Sequence, residues 1–132
     1  MKAAVHALAV IFVLFLAATA QAAEPVNVDV LYMNHGPLRP TLNNLRTMFA
    51  RYEGQITVIW HDFESAEGQK FIKSMGINEH VPLIIWINGK YTLNVNGSQT
   101  IFRGFPSGAG PAMFQGAWNM DLLNRALEQA TR

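Results

Sequence analysis

The chemistry open to this chain is set by a few histidines, one aspartate in an apolar run, and the absence of cysteine. Imidazole binds copper and zinc and exchanges protons near neutral pH. His35 and His80 therefore form a candidate metal pair, with Met33 and Met113 as thioether donors suited to copper. No His-x-His or Met-rich spacing accompanies them, so ordinary loop histidines are the competing reading. His61, at the end of a strand-like run, reads as a half-buried, hydrogen-bonded residue. Asp29 with His35 would make an acid–base pair, yet no nucleophile in an identifiable motif stands beside them. Without cysteine there are no disulfides, no thiolate nucleophile, no thiolate metal site and no thiol redox chemistry.

Ten Lys and Arg stand against nine Asp and Glu, so bulk charge offers no basis for binding nucleic acid or an anionic membrane. The apolar half of the composition is concentrated at the start. Lys2 precedes a 12-residue apolar run, Ala7 to Ala18, and Ala20-Gln21-Ala22 is a small-x-small cleavage pattern. Residues 1–22 thus read as a secretory signal peptide and residues 23–132 as one domain. The run is too short for a membrane-spanning helix, and no later stretch reaches the roughly 20 residues a span requires. The expected location is periplasmic or secreted.

The elements that must position these side chains follow from periodicity. Val26 to Met33 alternates and then becomes continuously apolar, as in a strand covered on both faces at its far end. Leu38, Leu42, Leu45, Met48, Phe49 and Tyr52 recur at helical spacing up to Gly54. Gln55 to Asp62 is a second β-rich run, and Ser65 can cap a short helix that closes at Gly76. Pro82 to Ile87 is strand-like and runs into Asn88-Gly89, a hairpin dipeptide, which predicts a reversing strand over Lys90 to Val95. Asn96-Gly97 repeats the signal and predicts a third meander strand to Arg103. Gly104 to Ala117 is Gly/Pro-rich, with Phe105, Met113 and Phe114 either packed over the sheet or exposed to a partner. Asn119 can cap a last helix through Ala130, with Trp118 stapled onto Leu123. The order β-α-β-α-β-β-(β)-α predicts an α/β fold in which two βα units give parallel strands and the trailing hairpin adds antiparallel ones to the same sheet.

In that order the chain resembles the thioredoxin-like family over most of Val26 to Arg132. Where that family runs from its first strand into Cys-Gly-Pro-Cys, this sequence reads His35-Gly36-Pro37-Leu38, and Asp29 stands six residues earlier, at the place of the family's buried aspartate. Gly76-Ile77 through Val81-Pro82-Leu83 to Asn88-Gly89-Lys90 is similar to the family's segment around its cis-proline. The resemblance implies a thioredoxin-like β-α-β-α-β-β-α domain with a mixed sheet and an extra hairpin, a cis Val81–Pro82 bond, and backbone groups of Val81 offered to an extended polypeptide. Both cysteine positions are replaced, so dithiol–disulfide exchange does not carry over.

These observations predict an exported, redox-inactive domain that needs no cofactor. It would hold a polypeptide or protein partner through His35, Gly36, Pro37, Leu38, Val81, Pro82, Phe105 and Phe114. A metal-binding protein using His35 and His80 is one alternative, and a hydrolase or transferase with an unrecognised site is another.

Overall fold

A computed structural model of the chain describes residues 22–132. The signal-peptide reading falls on residues outside that range, apart from Ala22. The elements are β1 (Val26–Tyr32), a 3₁₀ turn (Gly36–Leu38), α1 (Arg39–Ala50), β2 (Ile56–Asp62), α2 (Ala66–Ser74), β3 (Leu83–Ile87), β4 (Thr92–Val95), β5 (Ser98–Ile101), a second 3₁₀ turn (Ala112–Phe114) and α3 (Met120–Ala130). The architecture is α/β, with three helices and a mixed sheet of order β2-β1-β3. β1 pairs parallel to β2 and antiparallel to β3.

Strand alternation divides the interior into two layers. Val26, Val28 and Val30 of β1, with Leu83, Ile85 and Ile87 of β3, pack against Leu42, Leu45 and Phe49 of α1 and Leu123 and Leu127 of α3. The other phase, Leu31, Ile84 and Trp86, packs against Phe71 and Ile72 of α2 and Met75 just after it. Local chemistry sets the helix starts. Ser65 Oγ accepts from Gly68 N–H at 2.9 Å, and Asn119 Oδ1 accepts from Leu122 N–H at 2.9 Å, so each satisfies an otherwise unpaired first-turn donor.

Two expectations are corrected. The Asn88-Gly89 turn forms, with Asn88 at φ 48° and Gly89 at φ 77°, yet the reversing chain bonds β3 only through the Ile87–Lys90 bridge and then leaves it. β4 and β5 pair with each other as a separate hairpin packed on α3. The outer edge of β3 is taken by residues 102–104: Ile85 N–H donates to Phe102 C=O at 3.0 Å and Gly104 N–H to Leu83 C=O at 2.8 Å. Phe102 is fully buried there, whereas continued pairing from the Asn88-Gly89 turn would set Thr92 opposite Ile85 and leave that apolar burial unmade. The second correction is Val81–Pro82, which is trans, as are all peptide bonds among the described residues. Met33 N–H donates to Pro82 C=O at 3.0 Å and prolongs the β1–β3 ladder through Pro82 in extended form. No chain reversal is needed at Pro82, and the ordinary trans preference of about 0.5–1 kcal/mol prevails.

Candidate functional site

β1 and β3 are antiparallel, so the end of one meets the start of the other, and the loops leaving them converge. There they enclose an apolar cavity of about 270 Å³, lined by Met33, His35, Pro37, Leu38, His80, Pro82, Phe105, Pro111 and Phe114. The His35 turn, the Pro82 segment and the 104–117 loop thus contribute to one site. An adjoining groove of about 350 Å³ shares His80, Pro82 and Phe114 and continues past Val81, Ile101, Arg103 and Met113. Phe114 stands between the two.

The long loop holds its shape by its own backbone. Phe105 N–H donates to Phe114 C=O at 2.8 Å, Gly116 N–H to Phe105 C=O at 2.7 Å, and the buried Trp118 Nε1–H to Gly104 C=O at 3.2 Å. This arrangement sorts the aromatics: Phe105 turns inward at 4 % exposure, while Phe114 is 40 % and Met113 82 % exposed. Phe105 therefore packs mostly into the core and meets the cavity only at its wall. Leu38 and Val81 are likewise buried, so their side chains form the floor of the site and not its accessible surface. Neither the N–H nor the C=O of Val81 is hydrogen-bonded among the described residues. Gly36 is exposed beside the cavity but does not line it.

His35 and His80 are both exposed and line the same cavity, together with the buried Met33. His80 meets the Phe63 ring edge-on at 5.2 Å. Met113 lies in the adjoining groove and not with the two histidines. No group of three His, Cys, Asp or Glu side chains placed to hold a metal occurs among the described residues.

Asp29 does not pair with His35 as an acid–base couple. It pairs with His61, Oδ1 to Nε2 at 2.7 Å, with side chains 21 % and 15 % exposed. The His61 ring lies flat on Phe71, centroids 3.6 Å apart. This dyad sits on the α2 side of the sheet and lines neither the cavity nor the groove. Sequence reasoning also missed Ile101 and the Arg103–Glu79 ion pair beside the groove. Both reach it only because residues 101–104 run along β3, a pairing with no local signature.

The chain matches no protein-family model and no curated protein sequence.

Proposed function

We propose that this protein is an exported, thioredoxin-like domain without thiol chemistry that holds an extended apolar polypeptide along the groove between His35 and Met113. The observation that carries this reading is the placement of exposed apolar side chains. Of the large hydrophobics exposed among the described residues, Ile101, Met113 and Phe114 line this groove, and only Ile59 lies elsewhere. Exposed aromatic and Met side chains around a concave floor suit polypeptide recognition, and Val81 can add main-chain hydrogen bonds in the manner of an added strand. The element order supports the family likeness. The trans Val81–Pro82 bond departs from the family's pattern, so the reading rests on the groove more than on ancestry. Export rests on the leader pattern of residues 1–22, and cell fractionation tests it.

Binding of a carboxymethylated, permanently unfolded polypeptide tests the main claim. Phe114→Ala should weaken it by about 2 kcal/mol, the scale of an aromatic hot spot, with the melting temperature nearly unchanged. Undiminished binding by that variant would exclude the groove as the site.

The convergence of His35, His80 and Met33 on one cavity favours a second reading, capture of a soft metal ion such as copper. Calorimetric titration should then show binding that weakens on acidification as the imidazoles protonate. Equal affinity in a His35→Ala/His80→Ala variant would exclude it.

A further inference from the structure

The remaining exposed hydrophobic, Ile59, is 50 % exposed at the centre of β2, and β2 is an edge strand. Two hydrogen bonds at the ends of its ladder with β1 set which backbone groups face outward. Phe63 N–H donates to Tyr32 C=O at 2.8 Å, and Val26 N–H donates to Gln55 C=O at 2.9 Å. In an uninterrupted parallel ladder alternate residues bond the neighbour, so Thr57, Ile59 and His61 bond β1 while Ile56, Val58, Trp60 and Asp62 point their N–H and C=O groups away from it. Two of these outward groups are already satisfied. Ile56 N–H donates to Tyr52 C=O at 3.2 Å, and Asp62 C=O accepts from Ser65 N–H at 3.1 Å and from Ser65 Oγ at 2.9 Å.

Among the described residues, the N–H of Val58, Trp60 and Asp62 and the C=O of Ile56, Val58 and Trp60 remain without a partner. This set is complementary to itself. If a second copy of β2 lies antiparallel with the twofold axis through Ile59, Val58 and Trp60 exchange both bonds with the partner's Trp60 and Val58, and Asp62 N–H meets the partner's Ile56 C=O. The Ile56 N–H to Asp62 C=O bond that this register would otherwise require is the one whose two ends are already bonded within each copy. Side chains agree with the register: Ile59 opposes Ile59 in a close non-hydrogen-bonded pair, and Val58 opposes Trp60, an aromatic–β-branched pair. Nor does the strand carry the usual protection of an exposed edge. Its seven ladder pairs run without a bulge, and Ile56 to His61 contains no Pro, Lys, Arg, Asp or Glu. We infer that two copies of this chain associate through β2, joining their sheets in the order β3-β1-β2-β2-β1-β3, at a face separate from the peptide groove.

Sedimentation equilibrium of the purified protein over a concentration series should show a dimer. Ile59→Lys, which puts like charges together at the axis while altering a side chain exposed in the single copy, should weaken the dimer by at least about tenfold without lowering the melting temperature of the dilute protein. The cysteine-free sequence permits a positional test. Residues facing each other in a non-hydrogen-bonded pair have Cα atoms about 4.5 Å apart, within disulfide reach. Ile59→Cys should therefore cross-link to itself on mild oxidation, and Thr57→Cys, on the same face but opposite the partner's His61, should not. A wild-type protein that stays monomeric, a dimer indifferent to Ile59→Lys, or equal cross-linking at the two positions overturns the inference. Pairing of β2 with an added extended peptide in place of a second copy would overturn it as well.

Discussion

The two faces of the sheet are closed by different means. Toward α1 and α3 the strands present Val26, Val28, Val30, Leu83, Ile85 and Ile87, and the helices answer with Leu42, Leu45, Leu123 and Leu127, beside the Tyr32–Trp60, Phe49–Trp60 and Phe102–Trp118 ring pairs; contact between the aliphatic side chains depends mainly on volume. Toward α2 a chain of rings carries the packing: Tyr91 meets Trp86 edge-on at 5.9 Å, Trp86 meets Phe71 edge-on at 5.2 Å, and Phe71 lies flat on His61, which ends the chain on Asp29. A short helix of nine residues has little apolar surface to offer, and directional ring contacts with one polar pair complete the layer. The thin face should therefore be the more sensitive to geometry and the thick face to volume.

The largest effect tests that contrast directly. Trp86→Ala should destabilise the fold by about 3–5 kcal/mol, measured by urea denaturation, and Leu45→Ala on the other face by about 2–5 kcal/mol. The overlap in size is expected; the difference should show in replacements that keep volume. Phe71→Leu, which removes a ring of the chain at a small change of volume, should cost more than Leu45→Met, which should cost less than about 1.5 kcal/mol. Equal tolerance on the two faces would break the comparison.

A smaller effect is expected at the polar end of the ring chain. His61→Ala leaves the Asp29 carboxylate half-buried without its partner and should cost about 1–3 kcal/mol. A double-mutant cycle with Asp29→Asn should give a coupling of at least about 0.5 kcal/mol, since the two side chains share one hydrogen bond. Additive losses would show that the pair is incidental to the packing of α2.

The smallest effect belongs to the thick face, at a polar attachment between Tyr52, just beyond α1, and α3. Tyr52 is buried, with its hydroxyl 2.9 Å from Asn124 Oδ1 and 3.2 Å from the Asn124 carbonyl. Burial first, and the nearby Glu128 carboxylate second, raise its pKa above 10.0. A raised pKa favours the protonated phenol in the folded state, so this contribution is complete below pH 10 and disappears as pH climbs through the folded-state value. Tyr52→Phe should cost about 1 kcal/mol at neutral pH and should flatten the fall in melting temperature at alkaline pH. An unchanged alkaline slope would remove Tyr52 as its source.

The features legible in the sequence were those written in neighbouring residues. Ser65 and Asn119 cap the helices they precede, and both Asn-Gly turns form with positive φ at both residues. The spacing from Leu42 to Phe49 and the alternation in β1 placed the core. Partnerships between distant segments were not legible. Asp29 and His61 are 32 residues apart, and only the β1–β2 register brings them together. The pairing of Phe102 with β3 displaced the hairpin suggested by Asn88-Gly89, because a local turn preference is worth less than burying a phenylalanine. Within the 104–117 loop, composition could not separate Phe105 from Phe114; that sorting comes from backbone bonds across the loop.

The close approach of the two arms of that loop bears on how the site could be re-engineered. A Cβ on Gly104, at φ 79°, would sit 2.5 Å from the Phe114 carbonyl oxygen, and one on Gly116 would collide with the carbonyl of Arg103. These two positions admit no side chain while the arms stay bonded. Met113 and Phe114, by contrast, project from the same frame into open space. A combinatorial library built on this groove should diversify Met113, Phe114 and Ile101 and hold both glycines constant. Its members would then differ in the surface the groove presents and not in how the loop is built.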